Sequence, residues 1–268
     1  MKKIFTFLCC TVFAASYSSM SAQATIMEIW KGGSVTESYK INDVDSVTFK
    51  TTTDTDHSKI INGHKFIDLG LPSGLLWAET NIGAATAYDD GDYFAWGETV
   101  PKSTYSDATY TTLGKCSYSE IYERVVLKEY TKYTRFDGKT TLELNDDAAC
   151  FNWGSGCRMP TKSEMLELSN ESNCTWTWVS CTNSVGETIG CYKVVSVKNG
   201  NVIYLPASGY RDGDDLNLHG SFGNYWSSTL YRSDVSNAYN FSFHSGNYFA
   251  NRLNYRYCGL PVRPVARP

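Results

Sequence analysis

GCRMPTKSEMLEL, residues 156–168, contains the clearest helix start in the chain. Pro160 disfavours helical backbone at the residue before it. Thr161 is a capping residue, and Glu164 stands at the capping-box distance of three. Met165, Leu166 and Leu168 then supply an apolar stripe. The spacing predicts a short helix opening at Thr161. Outward from this stretch the pattern changes. Short β-rich runs separated by Gly, Asn, Ser and Thr dominate, at Phe66–Leu69, Leu75–Glu79, Tyr93–Trp96, Tyr192–Val197, Val202–Leu205, Ala238–Phe243 and Leu260–Val265. Lys198-Asn199-Gly200-Asn201 joins two of them and carries the Asn-Gly hairpin signature. A second helix is expected over Ser117–Lys128. Few helices among many short strands predict an α+β, β-rich fold of antiparallel strands rather than a doubly wound α/β sheet.

The expected organisation has four parts. Lys2 and Lys3, the twelve apolar residues Ile4–Ala15 and the small residues near Ala22 read as a signal peptide over residues 1–22. The apolar run is shorter than the roughly 20 residues needed to span a bilayer, and it continues past Cys9 and Cys10, which favours ordinary cleavage over lipidation. Residues 23–50 read as a small β-hairpin, Ala24–Trp30 and Val35–Lys50, turned at Lys31-Gly32-Gly33-Ser34. Residues 51–59 (TTTDTDHSK) are polar and aperiodic, a linker. Residues 60–268 are long enough for one sizeable core.

Composition excludes several classes. The 24 Lys+Arg and 28 Asp+Glu give a net charge of −4 with no basic run, so nucleic acid is not an expected partner. At 42% hydrophobic and 19% charged residues, the chain is not disordered. No transmembrane span is expected beyond the leader, and the oligomeric state is left open. Seven cysteines follow the leader: Cys116, Cys150, Cys157, Cys174, Cys181, Cys191 and Cys258. An odd number cannot all pair. One local bridge among Cys174, Cys181 and Cys191 is compatible with their spacing, which does not choose the pair. No C-x2-C zinc spacing, metal-spaced His pair, nucleophile elbow or phosphate loop is present. Asp89-Asp90-Gly91-Asp92 and Asp212-Gly213-Asp214-Asp215 concentrate oxygen ligands of the kind calcium prefers, but neither forms an EF-hand loop, and both read as solvated turns. No cofactor or metal is expected.

The most unusual composition lies near the C-terminus. Ser221–Tyr257 contains 11 aromatics, six Asn and seven Ser in 37 residues. Tyr and Phe offer contact area at low rotamer entropy and Ser and Asn adaptable hydrogen bonds, the combination found in antibody-like binding surfaces. Phe241 and Phe243 alternate as a half-buried strand should, leaving Ser242 and His244 outward, and Asn247–Tyr257 reads as irregular. The candidate ligand-binding residues are Tyr231, Asn240, Ser242, His244, Asn247, Tyr248, Asn251, Arg252, Asn254 and Tyr255. From Thr229 onward there is no Lys, Glu, Gln, Met or Trp, whereas residues 1–228 hold 15, 12, 1, 5 and 7 of them.

Three motifs carry a family resemblance. Gly63–Ala78 (GHKFIDLGLPSGLLWA), Gly156–Glu164 (GCRMPTKSE), and Asn224–Thr229 (NYWSST) closed by Gly259–Val265 (GLPVRPV) together resemble the major paralogous domain proteins of Bacteroidetes and Fibrobacter. The resemblance implies a C-type-lectin-like fold over Ile60–Pro268, related to sulfatase-modifying factors and to retroelement-diversified binding proteins. The missing residue types in the tail are those that diversified Asn codons cannot encode. The Glu-Pro-Asn and Gln-Pro-Asp sugar tripeptides of calcium-dependent lectins are absent. Tyr255-Arg256-Tyr257-Cys258 is superficially similar to the reactive-cysteine region of formylglycine-generating enzymes, but no second cysteine follows. The expectation is an exported, non-catalytic binding protein, secreted, at the cell surface (outer membrane associated) or periplasmic. It would meet a protein or glycan through its Tyr/Ser/Asn-rich C-terminal surface. The alternatives are a structural or adhesive surface component, assembled through the hairpin by strand addition, or an enzyme of the sulfatase-modifying-factor type.

Overall fold

The computed structural model describes residues 26–31, 34–40, 58–111, 118–119, 124–125 and 130–268. The chain divides into two compact units, Met1–Thr55 and Asp56–Pro268. In the smaller, β1 (Ile26–Lys31) pairs antiparallel with β2 (Ser34–Lys40). The rest of the expected second strand, 41–50, lies outside the described residues, as do the leader and the Gly-Gly turn.

The larger unit is built from antiparallel ladders. Its five-stranded sheet has the order β3 (Ser58–Ile61), β4 (His64–Asp68), β5 (Leu76–Ala78), β19 (Val265–Ala266) and β9 (Cys157–Arg158). Ser58 and Lys59 belong to β3, so the domain begins before Ile60. β6 (Tyr93–Phe94) pairs with β18 (Leu260–Pro261), and the short β7 (Tyr118–Ser119) pairs with β8 (Arg124–Val125). That last pair replaces the helix expected over Ser117–Lys128 wherever the segment is described. The expected strand Leu260–Val265 is divided, because Pro261 and Pro264 lack the N–H a continuous ladder needs. β10 (Cys174–Thr182), β11 (Thr188–Ser196) and β12 (Val202–Pro206) form a meander, its second turn the Asn-Gly hairpin. β13 (Tyr210–Asp212) and β14 (Asp215–Asn217) make a small ribbon. A second meander, β15 (Phe222–Leu230), β16 (Asn237–His244) and β17 (Asn247–Tyr255), contains the run expected to be irregular. α1 (Ala148–Trp153) and α2 (Lys162–Leu168) are the α-helices among the described residues. Among those residues no helix is long and apolar enough to cross a membrane.

The expected helix opens as its sequence dictates. Glu164 N–H donates to Thr161 Oγ1, and Thr161 N–H donates back to Glu164 Oε2 at 2.7 Å. Glu164 also receives a two-pronged fork from Arg158 at 2.6 and 2.8 Å. Burial works against the Glu164 charge, but the Arg158 fork and the Thr161 N–H hold its carboxyl below the ordinary range. Asp147 caps α1 through Ala149 and Cys150 and also accepts the Met159 N–H.

The remaining motif residues are tied equally firmly. Trp226 Nε1 donates to Phe94 O, Trp96 Nε1 to Ser227 O, Tyr225 Oη to Pro206 O and Ser228 N to Pro160 O. Arg263 is 1% exposed and donates to Asn81 Oδ1 and to the carbonyls of Ala78 and Glu79. Arg256, with no exposed surface, donates to Tyr110 Oη and to the carbonyls of Lys132, Tyr133 and Val235, while its guanidinium lies 4.2 Å from the Tyr130 ring and 4.9 Å from that of Trp96. Neither arginine relies on a carboxylate in these bonds. Backbone carbonyls and aromatic faces compensate the desolvated charge of Arg256, whereas Arg263 relies on Asn81 and two carbonyls and keeps its Nη2 without a partner among the described residues.

The described cysteines are free thiols. A bridge among Cys174, Cys181 and Cys191 is not formed, and the register shows why Cys174 is excluded. It stands opposite Ser196, seven residues from Cys181 along β10, roughly 23 Å, and five positions from Cys191's pairing partner. Cys181 and Cys191 are diagonal neighbours on β10 and β11. Cys116 lies outside the described residues.

Candidate functional site

The β15–β17 meander separates two chemistries by strand alternation. On one face Tyr225, Phe241, Phe243 and Ala250 are buried with Met165 and Leu168 of α2, Tyr192 and Val194 of β11, and the partly buried Trp176 and Trp178 of β10. Tyr248 belongs here. Its ring stacks on Trp176 at 4.7 Å and 22°, meets Tyr192 edge-on, and reaches Glu171 through its hydroxyl. Gly223 is required by this packing, because a Cβ there would stand 1.9 Å from the Phe243 ring.

Pairing fixes the opposite face. Phe222 lies opposite His244, Asn224 opposite Ser242 and Trp226 opposite Asn240. On the other side Asn240 pairs with Arg252, Ser242 with Phe249, His244 with Asn247 and Ala238 with Asn254. Asn240, Ser242, His244, Asn247, Arg252 and Asn254, six of the ten expected residues, therefore share one face. At one end this face enters the second core cluster through Trp226 and Ala238. At the other it is open, with Ser242 and His244 half-buried and Asn247 and Arg252 exposed.

Four of the expected residues stand apart. Tyr248 points into the aromatic core. Tyr231 follows β15 and packs edge-on to Tyr239 at 5.5 Å. Asn251 is exposed in a bulge, where Ala250 and Asn251 together stand opposite Phe241. Tyr255, 51% exposed, stacks on Tyr257 at 5.4 Å, and its partner on β16 is Asn237, outside the six-residue set. Asn240 shares the face but is only 1% exposed. Its Nδ2 donates to Asn224 Oδ1, and its own Oδ1 has no partner, so it lines the floor of the site rather than its surface.

The open part is held in fixed geometry. The Arg252 guanidinium lies 4.3 Å over the Phe249 ring, and the Phe222 and His244 rings are 5.1 Å apart. Gly246 N–H donates to His244 Nδ1, which leaves Nε2–H as the ring's donor. Asn247 Oδ1 accepts the Tyr248 N–H and Asn254 Oδ1 the Tyr255 N–H, each at 2.9 Å. Phe222, Asn224 and Phe249 were not among the ten expected residues. Their signal is the strand pairing, which composition does not disclose.

Other candidate chemistry is placed elsewhere. Cys258 is 1% exposed, and burial pushes its thiol up to about 12, opposite to the depression an attacking thiolate needs. Asp89 accepts the Thr86 and Ser184 N–H groups, and Asp90 contacts His219 Nε2 at 2.7 Å. Among the described residues no three His, Cys, Asp or Glu side chains converge on a metal position.

A family model described as "Domain of unknown function (DUF8237)" matches residues 156–265, from the Arg-Met-Pro-Thr stretch to the first residue of β19. No curated protein and no solved structure matches the chain.

Proposed function

We propose that the chain is an exported, non-catalytic binding protein whose larger unit is a C-type-lectin-like domain of the major paralogous kind. Its ligand, a protein or glycan, is met by the open face of β15–β17. One observation carries this reading: Ser242, His244, Asn247, Arg252 and Asn254 lie together on one face of a sheet whose other face is locked into an aromatic core. A rigid backing beneath adaptable polar groups is the arrangement of a preorganised binding surface. The test is a screen of the whole chain against glycan and protein arrays. It is repeated with Ser242→Trp, which places a bulky ring in the middle of the face, and with Val197→Trp on the exposed segment between β11 and β12. The expected outcome is at least one ligand whose signal falls tenfold or more with Ser242→Trp and is retained with Val197→Trp. Array silence, or a ligand indifferent to Ser242→Trp, overturns the proposal.

A further inference from the structure

Resting on that reading, we infer that the open face of β15–β17 takes an acidic glycan, its carboxylate or sulfate on Arg252 and its sugar rings against Phe249 and Phe222. The argument is an inventory of donors and acceptors. Asn247 and Asn254 each use the side-chain oxygen on the next residue's N–H, which leaves their NH2 groups as the donors available to a ligand. His244 uses Nδ1 as an acceptor and presents Nε2–H. Arg252 is donor-only and always charged. The open rim thus engages these acceptors within the chain and keeps its donors available. β15, β16 and β17 carry no Asp, Glu or Lys. Arg252 has no carboxylate partner among the described residues, although the chain as a whole is acidic at −4. A donor-rich, carboxylate-free strip on an acidic protein complements an acceptor-rich anion.

Two further observations favour a glycan over an acidic peptide. The Phe249 ring positions the guanidinium and, with Phe222, gives the strip two half-buried aromatic surfaces suited to sugar rings. Peptides commonly bind by adding a strand to a free sheet edge. β17 is such an edge, yet its Tyr248 and Tyr255 N–H groups are already taken by Asn247 and Asn254. From Asn247 to Arg252 the open strip runs roughly 15 Å, enough for an oligosaccharide rather than a single sugar.

Calorimetric titration of the full chain decides the matter. The probes are polygalacturonate, the sulfated galactan carrageenan, neutral β-1,4-galactan and poly-L-glutamate. Binding of polygalacturonate or carrageenan is expected, whichever is tighter identifying the anion, with affinity falling as NaCl is raised. Arg252→Gln should weaken it about tenfold and Arg252→Lys by less, with the urea midpoint unchanged in both. Equal binding of neutral galactan overturns the acidic-ligand inference while leaving the binding face standing. Tighter poly-L-glutamate assigns the face to acidic peptides instead. Indifference to Arg252→Gln, or failure of both acidic glycans to bind, also overturns the inference. Loss of the wider reading is separately visible as array silence.

Discussion

Arg252 and Arg256 lie four residues apart, yet they inhabit opposite kinds of protein. Arg256 is sealed among Trp96, Tyr110, Tyr130 and Tyr133, with its guanidinium donating to backbone carbonyls. Arg252 lies on the open face, resting on one ring and meeting no carboxylate among the described residues. The same contrast runs through the whole meander. One face of β15–β17 is a dense aromatic core, and the other is open and polar at the end that carries His244, Asn247 and Arg252. Side-chain identity on the sealed side therefore sets stability, whereas the proposed recognition role belongs to the open side.

The largest expected effect tests the sealed side. Arg256→Met removes a sealed charge together with the donors that reach Tyr110 Oη and the carbonyls of Lys132, Tyr133 and Val235. The expected cost is about 3–5 kcal/mol in urea unfolding. A loss below 1 kcal/mol would mean that the aromatic cage tolerates an apolar occupant and that the arginine is not structural. Phe243→Ala should be comparable, about 3–5 kcal/mol, since Phe243 has no exposed surface and touches the rings of Trp178, Tyr192 and Tyr225. Gly223→Ala comes next, at about 1–3 kcal/mol, because the Phe243 ring must shift to admit a methyl group.

How much of this contrast the sequence discloses depends on local rules. The α2 cap was legible because Thr161 and Glu164 satisfy each other within one turn. The β11–β12 hairpin was legible because Asn199-Gly200 is a short-range signal, and Phe241 and Phe243 because they alternate in a half-buried strand. β15 was not legible. Asn224, Tyr225, Trp226, Ser227 and Ser228 are all buried, so no polar and apolar alternation marks the strand. β17 was hidden by its bulge, where Ala250 and Asn251 break the period of two. For the site, alternation placed Ser242 and His244 outward. Separating exposed Asn247 from buried Asn240, and Tyr248 from the open face, required the pairing of a third strand and the position of Trp176 on β10. Those are non-local facts.

An intermediate effect sharpens the comparison through pH. The folded Glu164 carboxyl titrates below its unfolded value of about 4.3. The stability it contributes is therefore present above that value and lost as pH falls through the depressed folded value. The wild-type urea midpoint should drop between about pH 5 and pH 3 more steeply than that of Glu164→Gln. Parallel profiles would show that the Arg158–Glu164 fork adds nothing beyond its neutral hydrogen bonds. No such acid step is expected from the open face, because its three strands carry no carboxylate.

The smallest expected effects are the most discriminating. Asn254→Ala releases the Tyr255 N–H, but that group lies at an exposed edge, where water replaces the lost acceptor. Arg252→Gln forfeits a ring contact at an exposed site, worth about 0.5–1 kcal/mol at most and partly retained by the Gln side chain. Both variants should unfold within about 0.5 kcal/mol of wild type. If either costs 2 kcal/mol, the open face is structural and the division between Arg252 and Arg256 collapses. If both fold normally while binding of the acidic probe weakens, the two faces are separable: a sheet whose interior could not be altered without unfolding would carry an exterior free to change its ligand.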